Sequence, residues 1–587
     1  MMLATMSSRP RRLALATPHT AATEAGRAAF ADGGTAVDAA LAACATLTVV
    51  YPHMCAMGGD AIALVHAPDG TVTAVNGSGA APAALDAARV RAALERDPAP
   101  VTRTGMPVRG PHTVTVPGVL GAWDTLRELG GALDLARLLR PAVAYASDGC
   151  AVSRSLAATL AWEPGLFAAD PGLREIYFRE ADAPGGARPL AEGEIYRQPS
   201  LAASLDEVAR GGIDVFYRGE LGARYVAGLR AAGSVMTVDD LDAHVTEVVE
   251  PLQAVAFGHE ILTAPPNSQG YVLLQVMAAI ERLVDSAAWE RLALPSDVPP
   301  DPLGPAAGAL ARLYRLASED RDRHLCDPRA HDVPLDMLLD GAHVRWLAEH
   351  SAGGAPSTSG GSASAQPRAD SAGVSSGDTI ACVAADSDGW AVSIIQSVYH
   401  GFGAAILEPA TGIVAHDRGA CFSLDPASPN LLDGGKRPLH TLMPVMVRRE
   451  GRLAIVAGTM GGEAQPQIHA QILCRLLDEA ARSRGSDGTD TSASGDGGLA
   501  PGAAAAVTAP RWIYDEGTLL AEARVPEPCL TALRATGMPV ELLEPLDETV
   551  GHAQYIRIAA DGALEAASDP RADGMGAVFT ARGEEPS

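Results

Sequence analysis

A layered α+β fold is what this sequence predicts, and three observations support it. Between residues 26 and 350 most segments carry apolar residues at helical spacing, with short strand-like runs among them. After residue 379 the strand-like runs become denser, and two of them meet at the turn 386–389 (Asp-Ser-Asp-Gly) to form a hairpin. Strands gathered around one hairpin, with helices on the flanks, favour stacked layers of sheet and helix.

The predicted elements follow one another without an internal repeat. Helices are predicted at residues 36–47, 85–95, 118–129, 135–147, 202–210, 219–232, 237–244, 272–281 and 465–482. Strands are predicted at residues 61–66, 71–75, 380–385, 391–397, 442–448, 453–458 and 556–559. The helices are predicted from periodic apolar residues, and the strands from alternation or from short apolar runs between turns. The first helix opens an apolar stretch that contains Asp38 and ends at Tyr51-Pro52, which indicates a buried core helix rather than a membrane span.

Two tracts rich in Gly, Ser and Ala are predicted to be disordered, because they have too little apolar surface to offset the entropy of ordering. The first covers residues 351–376 and leads into the hairpin. The second covers residues 482–506 and is expected to be a surface insertion.

The bulk composition excludes several classes of function. The 587 residues carry 45 basic and 71 acidic side chains, and the resulting net charge of −26 repels phosphate backbones, so nucleic acid is not an expected partner. No run of 18 apolar residues offers a membrane span, and the apolar run near the N-terminus is too short for a signal peptide. The sequence therefore predicts a cytoplasmic protein without membrane contact.

The spacing of cysteine and histidine gives no sign of a disulfide framework or a metal site. The eight cysteines include no CxxC pair, which favours buried free thiols. His324, Cys326 and His331 are neighbours in sequence, but no fourth ligand stands at a recognised spacing. No metal and no other cofactor are therefore predicted.

Thr379 is the first candidate for chemistry, since it opens a buried strand directly after a flexible tract. Cleavage of the Asp378–Thr379 bond would free an α-amine with a pKa of roughly 8, so that one residue supplies both nucleophile and base. Ser397 is expected across the hairpin, where its hydroxyl can bind that amine. The same pattern also fits an ordinary strand threonine, because β-branched residues favour strands.

Two later segments supply further candidates. Gly461 and Gly462 follow a predicted strand, and their N–H groups are free to stabilise an oxyanion, although two glycines after a strand also begin ordinary turns. His440 and Thr441 lie in the loop 436–444 beside two cations, where they can hold an acyl group and its carboxylate. The alternative for this loop is a solvated basic turn.

From about residue 21 to the C-terminus, the chain resembles the gamma-glutamyltransferase family of N-terminal-nucleophile hydrolases. The matching segments are residues 33–40 (Gly-Gly-Thr-Ala-Val-Asp-Ala-Ala), 52–59, 117–118, 212–219, 265–270 (Pro-Pro-Asn-Ser-Gln-Gly), 436–438 and 461–462. The resemblance implies a four-layer αββα sandwich and self-cleavage between Asp378 and Thr379. The products would be a mostly helical large subunit with flanking strands (1–378) and a small subunit that carries the hairpin (379–587). They would stay together, and further oligomerisation is left open.

Several positions depart from the family pattern. Ser78 stands where the family has the arginine that binds the γ-glutamyl carboxylate, and Cys421 replaces an acidic residue that binds its amine. The other departures and their neighbours are Tyr399, His400, Arg418, His440 and Thr441. These changes remove the ionic clamp for a glutamyl group, so Ser78 and these residues are predicted to bind a different acyl group.

The variant residues resemble a divergent branch that includes oxamate amidohydrolases and related acylases, with homologues in antibiotic pathways. The resemblance implies a self-cleaving threonine hydrolase that removes a small acidic acyl group, oxamate-like or oxalyl-like, from an amide or an activated C–C bond in secondary metabolism. A γ-glutamyltransferase, or glutathione hydrolase, with a rearranged binding site is the first alternative. A non-catalytic relative with a binding role is the second.

Overall fold

Two antiparallel β-sheets organise the structure, a computed structural model that describes residues 10–181, 186–284, 299–353, 378–482 and 502–581. The strands are β1 (Arg12–Thr17), β2 (Asp60–His66), β3 (Val72–Gly77), β4 (Cys150–Ala151), β5 (Phe178–Glu180), β6 (Ala187–Pro189), β7 (Ile195–Tyr196), β8 (Glu247–Val249), β9 (Leu252–Ala256), β10 (His259–Thr263), β11 (Asp378–Asp386), β12 (Ala391–Tyr399), β13 (Leu407–Glu408), β14 (Ile413–Val414), β15 (Val445–Arg449), β16 (Arg452–Thr459), β17 (Trp512–Asp515), β18 (Thr518–Glu522), β19 (Val540–Leu543), β20 (Ala553–Ile558), β21 (Leu564–Ser568) and β22 (Met575–Thr580).

Helices surround the sheets. They are α1 (Thr20–Ala31), α2 (Ala36–Val50), α3 (Ala87–Arg96), α4 (Val119–Gly130), α5 (Leu135–Asp148), α6 (Arg154–Trp162), α7 (Pro164–Ala169), α8 (Pro171–Tyr177), α9 (Pro199–Gly211), α10 (Asp214–Tyr217), α11 (Glu220–Ala231), α12 (Val238–Asp242), α13 (Gly270–Val284), α14 (Ala307–His324), α15 (Leu335–Leu338), α16 (Gly341–Ala352), α17 (Gln465–Arg482), α18 (Ala503–Thr508) and α19 (Glu527–Arg534). Short 3-10 helices lie at Arg418–Cys421, Gly462–Ala464 and Glu548–Val550. Among the described residues, no helix is long and apolar enough to cross a membrane.

The first sheet has seven strands in the order β22-β1-β11-β12-β2-β3-β8, and the second has six in the order β21-β20-β16-β15-β10-β9. They contact each other through β11 and β12 on one side and β16 and β20 on the other. Helices α2 and α4 pack on strands of the first sheet, while α13, α17 and α18 pack on strands of the second.

Alternation along β11 decides which residues face the second sheet. Ala381 and Val383 belong to the apolar clusters between the sheets, whereas Ile380 and Cys382 belong to the large cluster that contains α2. Because side chains alternate along a strand, Thr379 points to the same side as Ala381, toward the second sheet. The hairpin thus places the Thr379 hydroxyl between the two sheets.

Helix α2 shows why a charged residue is tolerated in this core. Thr35 caps its N-terminus, and the Asp38 carboxylate accepts a hydrogen bond from the Thr35 N–H at 2.8 Å in a reciprocal capping box. The same carboxylate accepts a hydrogen bond from the Ala132 N–H at 2.8 Å. Every residue of α2 is buried, as the sequence predicts.

The α+β class predicted from the sequence is confirmed, and most predicted elements are present with small shifts of their ends. The limits of the two predicted disordered tracts are corrected: residues 351–352 belong to α16, and 503–506 belong to α18. These residues are helical because their apolar side chains pack into the large hydrophobic cluster that contains α13, α14 and α17. Residues 354–377 and 483–501 lie outside the described part of the chain.

Candidate active site

The β11–β12 hairpin brings the two candidate hydroxyls together. Thr379 pairs with Ser397, and Asp378 pairs with Tyr399, with a shift of register between Asp378 and Thr379. The shift leaves one extra residue in β12 and is accompanied by a positive φ of 79° at Tyr399. Such a backbone is strained for an aromatic residue, and strain of this kind collects at functional sites.

Ser397 Oγ is the centre of a hydrogen-bond network around the Asp378–Thr379 junction. Thr379 Oγ1 donates to it at 3.0 Å, the Tyr399 N–H at 2.8 Å, and the Arg418 guanidinium at 3.3 Å. Since these groups donate, the Ser397 proton is directed to the remaining acceptor, the Asp378 carbonyl oxygen at 2.7 Å. Ser397 therefore polarises the carbonyl next to the threonine that would attack it.

Arg418 is a buried cation, with 1 % of its surface exposed. Its guanidinium donates to Thr441 Oγ1 at 3.0 Å, and its Cζ lies 4.3 Å from the centre of the Tyr399 ring. Among the described residues, Arg418 forms no ion pair with a carboxylate, and its Nε has no hydrogen-bond partner. Asp60 interacts with Arg418 through its charge but does not form an ion pair with it. A buried cation with no directly bound carboxylate is costly, so this position favours an anion from outside the protein.

The loop after β16 carries the two glycines predicted to form an oxyanion site. Gly461 has φ 137° and Gly462 has φ 51°. Among the described residues, neither N–H group has a protein acceptor. Ser393 Oγ donates to the Ala457 carbonyl at 2.7 Å, while the next residue, Gly458, lies against Ala381. Because β16 thus advances toward the Thr379 end of β11, the glycine loop follows at that end.

His440 makes internal hydrogen bonds instead of facing solvent. Its Nε2 lies 3.1 Å from Asp60 Oδ2, and its Nδ1 accepts from the Leu442 N–H at 3.3 Å, which places the ring proton on Nε2. Burial and the nearby Arg418 charge lower the pKa of His440 to about 3. His440 is therefore neutral and anchors its loop to Asp60, a role that its position in a basic loop does not reveal.

A cavity of about 320 Å³ lies beside Tyr399. Tyr399 and His400 line it, as does Cys421. His400 is fixed by Asp417, whose carboxylate lies 2.6 Å from its Nδ1. Ser78, Arg418, His440 and Thr441 are buried and are not among its described lining residues.

Ser78, at the position of the family's arginine, is fully buried and hydrogen-bonded to Asn76 Oδ1 at 2.7 Å. Of the predicted substrate-binding residues, the structure therefore brings two to the cavity wall, and the other four are buried outside its described lining. Their contacts with substrate stay predictions.

Asp417 and Asp60 are the functional candidates that sequence reasoning did not select. The sequence signal for Asp60 is its position directly after Gly58-Gly59, at the end of the matching segment 52–59 that follows the core helix. Within the described ranges, no group of three or more His, Cys, Asp or Glu side chains is arranged to hold a metal ion.

A buried threonine hydroxyl at the start of β11, with a hydrogen-bonded peptide carbonyl beside it, fits an enzyme of the N-terminal-nucleophile hydrolase type that acts on amides. The model of the gamma-glutamyltranspeptidase family matches residues 22–579. The chain belongs to the gamma-glutamyltranspeptidase family.

Relatives with known names span nearly the whole chain. It is 34% identical over 573 residues to the glutathione hydrolase-like YwrD proenzyme of Bacillus subtilis, covering 95% of this chain and 96% of the relative. It is 34% identical over 574 residues to the oxamate amidohydrolase proenzyme of Klebsiella pneumoniae, covering 96% and 97%. The solved structure of cephalosporin acylase from Bacillus halodurans is similar with a TM-score of 0.79 and 28% identity, covering 98% of both chains.

Proposed function

We propose that this protein is a self-cleaving threonine hydrolase with a four-layer αββα fold that removes a small acidic acyl group from an amide. The single observation that carries the proposal is the chain of hydrogen bonds from Thr379 Oγ1 to Ser397 Oγ to the Asp378 carbonyl oxygen. The helices on the outer faces of both sheets support the four layers. The word proenzyme in the names of both 34%-identical relatives supports cleavage of a precursor.

Self-cleavage begins when Thr379 Oγ attacks the carbonyl carbon of Asp378. A bond forms between Oγ and that carbon, the C–N bond to Thr379 breaks, and the hydroxyl proton moves to the Thr379 nitrogen. Water then hydrolyses the resulting ester, which leaves a carboxylate on Asp378 and a free amine on Thr379. Ser397 stabilises the negative charge that develops on the carbonyl oxygen.

The mature enzyme uses the same atoms on its substrate. Thr379 Oγ attacks the acyl carbonyl, its α-amine takes the proton and passes it to the leaving amine, and Ser397 orients that α-amine. The N–H groups of Gly461 and Gly462 bind the oxyanion. Water then releases the acid and restores the hydroxyl.

Arg418 supports a small anionic acyl group as the substrate. Its guanidinium is within 3.3 Å of Ser397 and has no carboxylate partner among the described residues, so a carboxylate bound there lies next to the reacting carbonyl. An acyl group with adjacent carboxylate and carbonyl, as in oxamate, has this shape. The similarity to an oxamate amidohydrolase agrees with that choice.

The arrangement fits a γ-glutamyl group less well. Ser78 is buried away from the cavity, and Cys421 places a thiol at the cavity wall, where burial raises its pKa and keeps it neutral. The acidic Glu463 at the cavity already binds Arg103 at 2.9 Å and Arg321 at 2.6 Å. The cytoplasmic location, the subunit composition and a place in secondary metabolism stay predictions.

Thr379→Ala tests the proposal. We expect one full-length band on a denaturing gel and no release of ammonia from oxamate, whereas the unchanged protein gives two fragments and turnover. Thr263→Ala is the matched control, because Thr263 is a buried strand threonine whose hydroxyl has no hydrogen-bond partner among the described residues. Full turnover by uncleaved Thr379→Ala would overturn the mechanism, and faster turnover of a γ-glutamyl anilide than of oxamate would overturn the substrate class.

A further inference from the structure

We infer that Gln269 is a positioning residue that sets the spacing between the anion-binding side and the oxyanion side of the site. The inference rests on the proposed function and deepens it. Gln269 is fully buried between β10 and α13, on the large-subunit side of the proposed cleavage. It touches neither Thr379 nor the cavity wall among the described contacts, so it acts through other residues.

The side-chain amide of Gln269 joins two loops. Its Nε2 donates to the Thr441 carbonyl at 2.9 Å and to the Gly462 carbonyl at 2.8 Å. Thr441 is the residue whose hydroxyl accepts from Arg418, and Gly462 belongs to the proposed oxyanion loop. Both N–H groups of one rigid, planar amide are thus used to fix these loops relative to each other.

The neighbouring backbone makes this link stiff. The Gln269 N–H donates to the His440 carbonyl at 2.9 Å, and the His440 N–H donates to the Asn267 carbonyl at 2.7 Å. Ser268 Oγ also donates to the Leu442 carbonyl at 2.7 Å. The loop of Thr441 is therefore held by main-chain contacts, while its connection to Gly462 depends on the Gln269 side chain. A second and longer connection runs from the Met443 N–H to Gln465 Oε1 at 3.3 Å.

Spacing matters for the proposed substrate because its carboxylate and its reacting carbonyl are joined by one C–C bond. Such a group cannot stretch to reach displaced partners, so a small shift between the loops weakens transition-state stabilisation more than binding. A misplacement of about 1 Å can cost about 100-fold in rate. The Gln269 Oε1 atom is buried without a hydrogen-bond partner among the described residues. The two hydrogen bonds donated by Nε2 offset the cost of burying this unpaired oxygen.

Gln269→Met tests the inference, because methionine keeps the length and volume of glutamine and removes both donors. Gln471→Met is a matched control: Gln471 is also fully buried, donates through Nε2 to the Trp512 carbonyl at 2.6 Å and has an unpartnered Oε1. We expect both variants to mature into two fragments. We expect kcat for oxamate to fall about 10- to 100-fold in Gln269→Met, with KM changed less than threefold, and to stay near that of the unchanged protein in Gln471→Met.

Gln269→Glu tests the inference through the pH dependence of kcat, which would not change if Gln269 had only a structural role. Its protonated form donates one hydrogen bond, while its ionised form repels both carbonyls, so kcat should rise as the pH falls relative to the unchanged enzyme. An unchanged kcat in mature Gln269→Met, or equal losses in Gln269→Met and Gln471→Met, would overturn the inference. Failure of the unchanged protein to cleave itself or to hydrolyse oxamate would instead overturn the proposed function.

Discussion

Ser397 Oγ lies 2.7 Å from the carbonyl oxygen of Asp378 and donates a hydrogen bond to it. The same hydroxyl accepts a hydrogen bond from Thr379 Oγ1 at 3.0 Å. One side chain therefore contacts both the proposed nucleophile and the carbonyl that the proposed self-cleavage would attack. This relationship follows from the hairpin register and does not need any movement of the two strands.

Ser397→Ala is expected to slow self-cleavage about 100-fold, because the developing oxyanion loses a donor. The appearance of the two fragments over time on a denaturing gel measures the rate. Ser393→Ala is the control: Ser393 lies on the same face of β12 and donates to the Ala457 carbonyl at 2.7 Å, away from the junction. Equal rates for the two variants would contradict the role of Ser397.

Arg418→Met is expected to lower kcat/KM for oxamate by about 10- to 100-fold in the matured enzyme, the worth of a hydrogen bond to a charged group. Folding should be little affected, because no described carboxylate loses its ion-pair partner. Arg475→Met is the control, since Arg475 is a largely buried arginine of α17 that donates to the Pro510 carbonyl at 3.3 Å. An unchanged kcat/KM in Arg418→Met would contradict the proposed role of Arg418 in binding the substrate.

Gly461→Ala is expected to reduce kcat about 100-fold, because it disturbs the oxyanion loop. A Cβ at this position would clash with Ile468 Cδ1, on a backbone with φ 137° that side chains rarely adopt. Gly517→Ala has a similar backbone cost at φ 93° but no heavy atom within 4 Å, and it should keep its activity. Steady-state kinetics on both variants measure kcat. A loss in Gly461→Ala but not in Gly517→Ala would show that the oxyanion loop, and not backbone strain in general, causes the effect.

Stability is expected to fall as the pH drops from 6.5 toward 4.5. Burial lowers the pKa of His440 and His469 to about 3, and that of His244 and His552 to about 4, from 6.5. Over this window the unfolded chain takes up protons on these histidines and the folded chain does not, so acid favours unfolding. Glu548 has the opposite effect, because burial raises its pKa to about 7. The folded chain therefore takes up one proton on Glu548 at a higher pH than the unfolded chain does, which favours folding.

Urea unfolding at several pH values measures this effect, and we expect a loss of about 2 kcal/mol or more between pH 6.5 and 5. His469→Gln should flatten the dependence by about one proton, because burial lowers the pKa of His469 in the folded protein. A free energy of unfolding that rises over this range would contradict the prediction.

The hairpin was predictable because its information is local. The turn at 386–389 and the apolar alternation on either side determine which residues face each other, and the structure pairs Thr379 with Ser397 as predicted. The strand β1 was missed, since its run Leu13–Ala16 is short and continuously apolar, and only pairing with β11 and β22 makes it a strand.

The surroundings of the hairpin depend on contacts between distant residues, which no local pattern contains. His440 looked like a group that binds substrate, but its partner Asp60 is 380 residues away in sequence. Gln269 meets Thr441 and Gly462 across 172 and 193 residues. Arg418 is predicted to bind substrate from the resemblance alone, and this role stays a prediction. Its contact with the Tyr399 ring at 4.3 Å is not contained in any local pattern.

The order of strands in the two sheets has a consequence for how the protein can be made. A chain cut between Asp378 and Thr379 would have its two pieces interwoven: β1 lies between β22 and β11, β12 borders β2, and β15 borders β10. Neither piece contains all the strands of either sheet, so each would expose unpaired strand edges if synthesised alone. Assembly must therefore precede scission, and separately expressed halves should fail to reconstitute unless they are refolded together.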